Sequence, residues 1–597
     1  MINVVKHSGT TVEILPTEHS MMLEDGTKLV YRAWIPQEPS GKAMILFHRG
    51  HEHSGRLEDV VRVLQLPDIA IFAWDARGHG RSDGQRGYAP SFGCLAKDAD
   101  EFVRHISETH GQRLEDMVVL GHSVGAVSVA AWVHDYAPPI RGMVLVTPAL
   151  RVKLYVPFAR AWLRLIQSVV SRRPMFVSSY VKGHLLTHDV EQAHRYNADP
   201  LISRAIAVNV LLGLHDTATR LMTDAAAIQT PALVLAGGAD WVVDLSAERR
   251  FFDRLGSRMK RMRVFDGMYH DILHEKDRGA VLNEIKDFVL SAFTGEEVPR
   301  SRGAAEHTTD EYERLRAPLV RFSPRGLRFA AERVLLRTVG RLSEGIRLGC
   351  QAGFDSGRSL DYVYENRPRG APLLGRMIDR AYLNSIGWAG IRQRKMNIER
   401  LLSDAIERVS ETGAPVRILD VASGQGRYVI DTLALFASGN VTALLRDYED
   451  ANVEACRALA ARRGLKGISF ERADAFAEAS YVSLEVRPNI VVVSGLFELF
   501  PDNAPVRRCL GGLAGVIEED GYLIYTGQPW HPQIEMIARV LTNRNGEPWV
   551  MRRRTQLELD ELVREAGFEK IRTRVDMHGI FTVSIAKRRA DGHRIAA

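Results

Sequence analysis

The chain has 597 residues, of which 45% are apolar and 25% are charged, and its formal net charge is +6. This length exceeds what one hydrophobic core organises, so we expect at least two globular domains. The charge is too small to indicate nucleic-acid binding, no apolar run reaches the ~18 residues of a membrane span, and the four cysteines show no metal-ligand spacing.

Residues Met1 to Ser20 lack the basic and apolar regions of a secretory signal. Together with the scattered cysteines, this predicts a protein of the reducing cytoplasm. We expect small-molecule partners and no nucleic acid.

Short apolar runs alternate with longer helical patterns in the first half, which indicates repeated βα units, a mostly parallel sheet and the α/β fold class. Residues 150–230 show a helical pattern without a strand, and an insertion of this size over the strand ends predicts a helical cap. The predicted strands are Leu29–Trp34, Ala43–Phe47, Ile69–Ala73, Met117–Leu120, Gly142–Val146, Ala232–Ala236 and Met262–Phe265.

A G-x-S-x-G sequence, Gly121 to Gly125, lies between a predicted strand and a helix-compatible stretch. In that context the serine stands on a sharp turn with its hydroxyl exposed. A serine nucleophile needs a base and an acid that orients the base, in the chain order Ser, Asp or Glu, His. Asp240 and His270 each follow a later predicted strand, so the order predicts Ser123 as nucleophile, Asp240 as orienting acid and His270 as general base.

From about Ile14 to Phe293 the chain resembles the monoacylglycerol lipase and lysophospholipase branch of the α/β-hydrolases. The segments that carry the resemblance are FHRGHEHSGR (Phe47–Arg56), WDARGHGRSDGQRG (Trp74–Gly87), GHSVGA (Gly121–Ala126), GGADWVVD (Gly237–Asp244) and YHDILHE (Tyr269–Glu275). The resemblance implies the same triad and favours Asp240 over the nearby Asp244 as its acid. It also implies an oxyanion hole formed by the N–H groups of Gly50 and Val124.

The chain departs from this family at Arg49, where the family usually has glycine. We consider that Arg49 places a fixed positive charge near the mouth of the site, which would suit a phosphate-bearing substrate. We expect no metal, because His48, His51, His53 and Glu52 match no ligand spacing.

Apolar residues alternate with arginines in two stretches. In the cap they are Leu154, Val156, Phe158, Trp162, Leu165, Ile166, Val169 and Val170, with Arg160, Arg164, Arg172 and Arg173. In the second stretch they are Leu327, Ala331, Val334, Leu335, Val339, Leu342 and Ile346, in a segment rich in arginine. For the cap we favour a helix that packs on the hydrolase body, and the alternative is an apolar chute for an acyl chain, docked on a membrane face. For the second stretch we favour packing against either neighbouring domain with its arginines solvated, and the alternative is contact with an anionic membrane surface.

The polar, turn-rich segment Thr294–Thr309 predicts a linker. We therefore divide the chain into a hydrolase domain (1–297), a linker with a basic amphipathic helix (298–350) and a third region (351–597). A second series of strands follows the linker, at Val416–Val421, Asn440–Leu445, Ile468–Glu471, Asn489–Ser494, Gly521–Thr526 and Gly579–Ala586.

The first strand of this series runs into a glycine loop and a helix, as in a Rossmann-like nucleotide site. Four features favour S-adenosylmethionine (SAM) over a dinucleotide: Asp420 before the loop, the spacing D-x-A-x-G-x-G, Asp447 after the next strand and Asp474 after the third. In such a site the carboxylate of Asp447 binds ribose hydroxyls and that of Asp474 faces the adenine amino group.

From about Asp355 to Arg589 the chain resembles class I SAM-dependent methyltransferases. The phrases that carry the resemblance are DSGRSLDYVYENRPRG (Asp355–Gly370), IGWAGIRQRK (Ile386–Lys395), SGLFELFPDN (Ser494–Asn503) and AGF (Ala566–Phe568). The resemblance implies that Gly424 and Gly426 line the SAM loop. Ala422 stands where the family has its first glycine, and a methyl group is tolerable there if φ is negative.

The sequence predicts a bifunctional enzyme that hydrolyses a monoacylglycerol- or lysophospholipid-like ester and transfers a methyl group from SAM to an unidentified, lipid-derived acceptor. His531, Tyr364 and Glu498 are candidate bases for the transfer, although methyl transfer from a sulfonium needs mainly alignment. One alternative makes the second half an inactive SAM sensor that regulates the hydrolase. Another makes the chain a membrane-surface scaffold with two inactive sites.

Overall fold

The computed structural model describes residues 4–5, 13–156, 158–169, 174–295, 301–371, 373–436, 440–477, 479–482 and 484–589. They form two compact units, Met1–Ala304 and Ala305–Ala597. The boundary predicted between residues 297 and 298 lies outside the described residues, as do Val170, Arg172 and Arg173 of the cap.

An eight-stranded sheet forms the centre of the first unit. Its strands in chain order, β1 to β8, are Thr17–Met22, Lys28–Trp34, Ala43–Phe47, Ala70–Trp74, Met117–His122, Gly142–Val146, Ala232–Gly237 and Lys260–Phe265. Their order across the sheet is β8-β7-β6-β5-β3-β4-β2-β1. Strands β3 to β8 are parallel, and β2 is antiparallel to both of its neighbours.

All seven strands predicted for this half are confirmed, with ends that differ by at most two residues. The sequence did not reveal β1, because this edge strand is polar and has only Met21 buried. The helices of the unit are Glu58–Leu64, Phe92–His110, Val124–Tyr136, Ala159–Val169, Val190–Ala198, Val208–Thr223, Leu245–Arg254 and Arg278–Thr294. Buried apolar side chains of β3 to β7 pack against the first and last of these helices.

The cap contains three of those helices and also a short strand pair, which the prediction lacked. Phe176–Ser178 pairs antiparallel with Ala205–Ala207. Strands of this length are too short to show the two-residue alternation by which a strand is recognised in a sequence.

The second unit has a seven-stranded sheet. Its strands, β9 to β15, are Val416–Asp420, Val441–Asp447, Ile468–Arg472, Ile490–Val493, Tyr522–Gly527, Phe568–Val575 and Thr582–Arg588. Their order is β11-β10-β9-β12-β13-β15-β14, and β15 alone among them runs opposite to the others, antiparallel to both β13 and β14. This is the order of a doubly wound nucleotide-binding sheet, whose crossover places a ligand crevice beyond β9 and β12.

All six predicted strands are present, and β14 was missed because its apolar residues alternate with charged ones and a bulge interrupts it between Lys570 and Arg572. The helices that follow the hydrolase are Ser301–Arg316, Pro324–Arg337, Glu344–Ala352, Gly357–Glu365, Leu374–Leu383, Ile386–Glu411, Arg427–Leu433, Asp450–Arg462, Ala479–Val482, Asn503–Val516, Ile534–Val540 and Gln556–Glu565. In the part of the chain that the structure describes, no helix is long and apolar enough to cross a membrane.

The predicted linker is instead helical from Ser301 onward, and from residue 305 it belongs to the second unit. Two buried arginines attach it there: Arg552 donates to the carbonyl of Ala305, at 3.1 Å, and Arg553 forms an ion pair with Glu311. Two polar side chains of the predicted linker also bond buried residues far along the chain: Thr309 accepts from Arg552 at 3.2 Å, and Thr308 donates to Glu558 at 3.2 Å.

Candidate active sites

Ser123 stands between β5 and the helix Val124–Tyr136 with φ 55° and ψ −109°, a conformation that is costly for a residue with a side chain. Both glycines of the motif are required by close backbone approach. A Cβ on Gly121 would lie 2.6 Å from the Cα of Ala126, and one on Gly125 would lie 2.4 Å from the carbonyl oxygen of His48. The strained turn is therefore held on both sides by tightly packed backbone.

The three residues predicted as a triad come together. His270 Nε2 lies 2.8 Å from Ser123 Oγ, and His270 Nδ1 lies 2.7 Å from Asp240 Oδ2. All three are buried, with 5%, 6% and 1% of Ser123, Asp240 and His270 exposed. A hydroxyl, an imidazole and a carboxylate in this chain of hydrogen bonds are the parts of a nucleophile activated by a base.

Asp240 is held in its ionised form. Burial acts to raise its pKa, but the imidazole of His270 and hydrogen bonds from His270, Val243 and Val242 together lower it. Those two backbone N–H groups donate to Asp240 Oδ1 at 2.9 and 2.6 Å. Asp244, the alternative acid, instead caps the helix Leu245–Arg254 by accepting from the N–H of Ser246.

The suggestion that Arg49 carries a free positive charge at the mouth of the site is wrong. Its side chain is only 3% exposed, donates to Glu52 at 2.9 Å and lies 3.7 Å from Asp271. Its guanidinium also covers the ring of Tyr196. Arg49 is thus a neutralised structural charge behind the catalytic loop.

Gly50 and Val124, the two residues predicted to supply the oxyanion N–H groups, are neighbours in space. A Cβ on Gly50 would come within 3.0 Å of Val124 Cγ2, so the backbone after β3 contacts the residue that follows the nucleophile. Of the histidines considered for a metal, His53 contacts Asp199 at 3.0 Å and His48 bonds the carbonyl of Arg49. Among the described residues, no three His, Cys, Asp or Glu side chains are arranged to hold a metal ion.

The first cap helix, Ala159–Val169, and the residues just before it do not bury their apolar side chains on the hydrolase body. The prediction that this stretch packs on the hydrolase body is therefore wrong. Phe158 is 80% exposed and Trp162 is 62% exposed, and Val156, Leu165 and Ile166 are also exposed. The arginines contact the neighbouring cap helix instead, with Arg160 bonded to His215 and Arg164 paired with Asp216. Beside this helix lies a cavity of about 560 Å³ whose lining includes Leu150, Leu154, Leu163, Leu211 and Leu214.

In the second unit, a cavity of about 390 Å³ lies at the carboxyl ends of β9 to β12. Its lining includes five of the six residues predicted for the cofactor: Ala422, Gly424, Gly426, Asp447 and Asp474. The crevice expected from the strand order is therefore present.

The glycine loop is shaped for a ligand. Gly424 has φ 55°, and a Cβ added there would meet nothing within 4 Å, so its backbone is open to the cavity. Gly426 has φ 64°, and there a Cβ would lie 2.5 Å from Leu445 Cδ2. Ala422 is not among the residues with positive φ, so its methyl group is tolerated as the prediction required.

Asp447 anchors the loop from the side. Its Oδ2 accepts from the N–H of Gly424 at 2.8 Å, and its Oδ1 accepts from Asn452 at 2.9 Å and from the N–H of Glu449 at 3.0 Å. Asp474 is exposed and accepts from the N–H of Phe476. Both carboxylates contribute to the cavity lining, where an acceptor can meet a ligand's hydroxyl or amino group.

Asp420 was predicted to contact the cofactor, but the structure places it behind the loop and outside the cavity wall. It is fully buried, and burial raises its pKa to about 7 against the opposing effects of Tyr428 and the N–H of Ala422. Of the candidate bases, Tyr364 lines the cavity, whereas Glu498 and His531 do not. Burial raises the pKa of Glu498 and lowers that of His531 to about 4.

Sequence reasoning missed Arg394, which lines the same cavity from the helix Ile386–Glu411. It is 5% exposed, its guanidinium lies against the ring of Phe581, and its Nε has no hydrogen-bond partner within the described residues. A Cβ on Gly495, just after β12, would lie 3.3 Å from Arg394 Nη2. Basic residues stand close together at the end of IGWAGIRQRK, so no signal in the sequence singled out the buried one.

Comparison with known proteins gives one family match for each half of the chain. A family model described as "Serine aminopeptidase, S33" matches residues 38–277, and one described as "Putative methyltransferase" matches residues 285–588. The protein YnbC of Escherichia coli (strain K12) is 47% identical over 581 residues, 96% of this chain and 99% of YnbC. The chain belongs to the YnbC family.

The first unit of this YnbC-family chain is a monoglyceride lipase-like α/β-hydrolase, and the methyltransferase model covers most of the second unit. The monoacylglycerol lipase of Mycolicibacterium smegmatis (strain ATCC 700084 / mc(2)155) is 28% identical over 285 residues, 46% of this chain and 97% of that lipase. The crystal structure of Paleococcus ferrophilus monoacylglycerol lipase is 26% identical, with a TM-score of 0.40 over 44% of this chain and 99% of that one.

Proposed function

We propose that the first unit hydrolyses the carboxylic ester of a monoacylglycerol or lysophospholipid, with Ser123 as nucleophile. The observation that carries the proposal is the unbroken chain of hydrogen bonds from Ser123 through His270 to Asp240. The similarity to monoacylglycerol lipases supports an ester substrate, and the exposed apolar cap helix supports a lipid one.

In the first half of the reaction, Ser123 Oγ attacks the ester carbonyl carbon while His270 Nε2 takes the hydroxyl proton. The N–H groups of Gly50 and Val124 stabilise the negative oxygen that results, and each such donor contributes about 10²–10³ in rate. The carbon–oxygen bond to the alcohol then breaks, and the alcohol leaves with the proton from His270. A water molecule then attacks the acyl-serine carbonyl carbon while His270 takes its proton. The bond to Ser123 Oγ breaks, His270 returns the proton to Ser123, and the fatty acid leaves.

The test is labelling by a fluorophosphonate, together with release of fatty acid from monoacylglycerol and from lysophospholipid. We expect Ser123 to be labelled and both signals to disappear in Ser123→Ala. Labelling that persists in Ser123→Ala, or hydrolysis that does, would refute the assignment.

We further propose that the second unit transfers a methyl group from SAM to a lipid-derived acceptor in the cytoplasm. The open backbone at Gly424 and the buried, unpartnered Nε of Arg394 support a ligand with both a nucleoside and an anionic group. When bound, SAM supplies an electrophilic methyl group on its sulfonium. Asp447 would bind the ribose hydroxyls, Asp474 would accept from the adenine amino group, and Arg394 would pair with the methionyl carboxylate.

Calorimetric titration of the full chain with S-adenosylhomocysteine tests whether this site binds the cofactor. We expect saturable binding that is lost in Asp447→Ala, which removes both the ribose ligand and the anchor of Gly424. Equal binding by wild type and variant would refute the site. Binding without any methylated product would instead favour the SAM-sensing regulator.

A further inference from the structure

A surface of the second unit, away from its cavity lining, exposes an unusual amount of apolar side chain. It centres on the helix Pro324–Arg337, whose apolar stripe faces away from the unit. One face is attached to the unit by Phe329, which is 5% exposed, by the ion pair of Arg325 with Glu535, and by Arg333, which donates to the carbonyl of Arg539. The apolar stripe lies on the opposite face.

Three residues of that stripe are turned to solvent. Leu327 is 53% exposed, Val334 62% and Leu335 59%. At about 100° per residue these positions fall within about 100° of one another on the helical wheel, roughly opposite Phe329. These residues therefore do not pack on the rest of the second unit, whereas Ile346, at the far end of the predicted pattern, is buried.

The exposed surface continues beyond the helix. Val339 and Leu342 follow it and are exposed, and the carbonyl of Leu342 accepts from the N–H of Ala371 at 3.2 Å. That contact places the start of the helix Leu374–Leu383 alongside. We call the whole set the apolar face: Val320, Phe322, Leu327, Val334, Leu335, Val339, Leu342, Leu373, Leu374 and Met377, all exposed.

Positive charge borders the apolar face on both sides. Residues 320–342 contain six arginines and one acid, Glu332. On the helical wheel Arg328 and Arg337 flank the stripe to either side; both are exposed, and Arg328 is ion-paired with Glu332 at 2.8 Å. The neighbouring helix adds exposed Arg376 and Arg380, whereas its one acid, Asp379, is buried.

We propose that the apolar face is a docking surface for an anionic phospholipid bilayer. Monomeric proteins rarely expose apolar patches of this extent without a partner, and a helix with an apolar face flanked by arginines suits the boundary between headgroups and acyl chains. Phosphate headgroups match the flanking arginines, and an anionic surface attracts such clusters. A symmetric contact with a second copy would bring these arginines against one another, so a bilayer is the better occupant.

Flotation of the full chain with vesicles tests the proposal, and it depends on neither proposed activity. One set of vesicles contains equal parts of phosphatidylglycerol and phosphatidylcholine, and the other contains phosphatidylcholine alone. We expect binding to the anionic set that weakens with salt, and at least roughly tenfold weaker binding for Val334→Asp with Leu335→Asp, because both charges would enter the apolar boundary. Met396→Asp, at another exposed apolar position of the unit, is the matched control and should bind as wild type does.

A second pair of variants, Arg328→Gln and Arg337→Gln, keeps both apolar residues and should reduce only the preference for anionic vesicles. Far-ultraviolet circular dichroism reports whether each variant is folded. The proposal is overturned if the Val334 and Leu335 double variant floats as wild type does. It is also overturned if wild type ignores the anionic lipid, or if the double variant changes the oligomeric state, because a second copy would then cover the face.

Discussion

His270 Nε2 lies 2.8 Å from Ser123 Oγ although the two residues are 147 positions apart in the chain. The order of strands in the sheet explains why these two residues lie close together. Ser123 follows β5 and His270 follows β8, and parallel strands bring their carboxyl ends to one edge. Asp240, which follows β7, reaches the same edge and completes the site.

Asp240→Asn should abolish most hydrolysis while leaving the fold intact. The amide cannot hold the imidazole in the tautomer that accepts the serine proton, and loss of the orienting carboxylate in serine proteases costs about 10⁴ in kcat. Asp244→Asn is the matched control, because Asp244 caps a helix and pairs at the surface with Arg151 but does not contact His270. Steady-state hydrolysis of a soluble ester measures both, and similar losses in the two variants would contradict the assignment.

Glu52 should stabilise the first unit, in a manner that depends on pH. Burial acts to raise its pKa, but Arg49 and Arg56 hold it at about 2, well below its ordinary value. Because the pKa is lowered in the folded state, the stabilisation is present above about pH 4.5 and is lost as the pH falls toward 2. Glu52→Gln removes the carboxylate that Arg49 and Arg56 share and leaves Arg49 only the more distant Asp271, so we expect it to lower the free energy of unfolding at pH 7 by about 3 kcal/mol.

The midpoint of urea inactivation of the esterase measures this effect in the full chain. The difference in urea midpoint between wild type and Glu52→Gln should stay constant from pH 7 to about pH 5 and become smaller below about pH 5. Glu58→Gln, at an exposed position nearby, serves as the control. A difference in urea midpoint that grows as the pH is lowered would contradict stabilisation by the Glu52 ion pairs.

Arg394→Gln should weaken the binding of S-adenosylhomocysteine and spare that of methylthioadenosine, which has no carboxylate. Removing a charge-assisted hydrogen bond costs about 1.5–3 kcal/mol, or roughly tenfold to hundredfold in affinity. Arg400→Gln, an exposed arginine on the same helix, is the control. If both nucleosides lose affinity equally, Arg394 maintains the shape of the cavity and does not bind the carboxylate.

Gly424→Ala should mainly weaken ligand binding, and Gly426→Ala should mainly destabilise the second unit. Both residues have positive φ, but a Cβ meets close neighbours only at Gly426. We expect Gly426→Ala to lower the melting temperature of the second unit more than Gly424→Ala does, because Leu445 and Cys456 must move. Titration with methylthioadenosine should show lost affinity in Gly424→Ala even where it remains folded, and unchanged affinity there would contradict the loop assignment.

The strands and the turns after them could be predicted because each depends on a short local pattern. The elbow at Ser123 and the loop at Gly424 are fixed by glycines whose neighbours are close in sequence or at the same sheet edge. The prediction for Arg49 is wrong because the sequence does not show that this side chain is buried. Its nearer partner Glu52 is three residues away, but Asp271 and the ring of Tyr196, which also contact it, come from distant parts of the chain. The helix Ser301–Arg316 resembles a linker for the same reason, since Arg552 and Arg553 lie far along the chain.

Transfer of labelled methyl from SAM into a bacterial total lipid extract, followed by solvent partition, tests the bifunctional account most directly. We predict label in the organic phase with wild type and none with Asp447→Ala. If Ser123→Ala retains the label in the organic phase, the two sites act separately. If Ser123→Ala loses that label, hydrolysis supplies the methyl acceptor. No label with wild type, in a preparation that binds S-adenosylhomocysteine and hydrolyses monoacylglycerol, would contradict the proposal of a lipid methyltransferase.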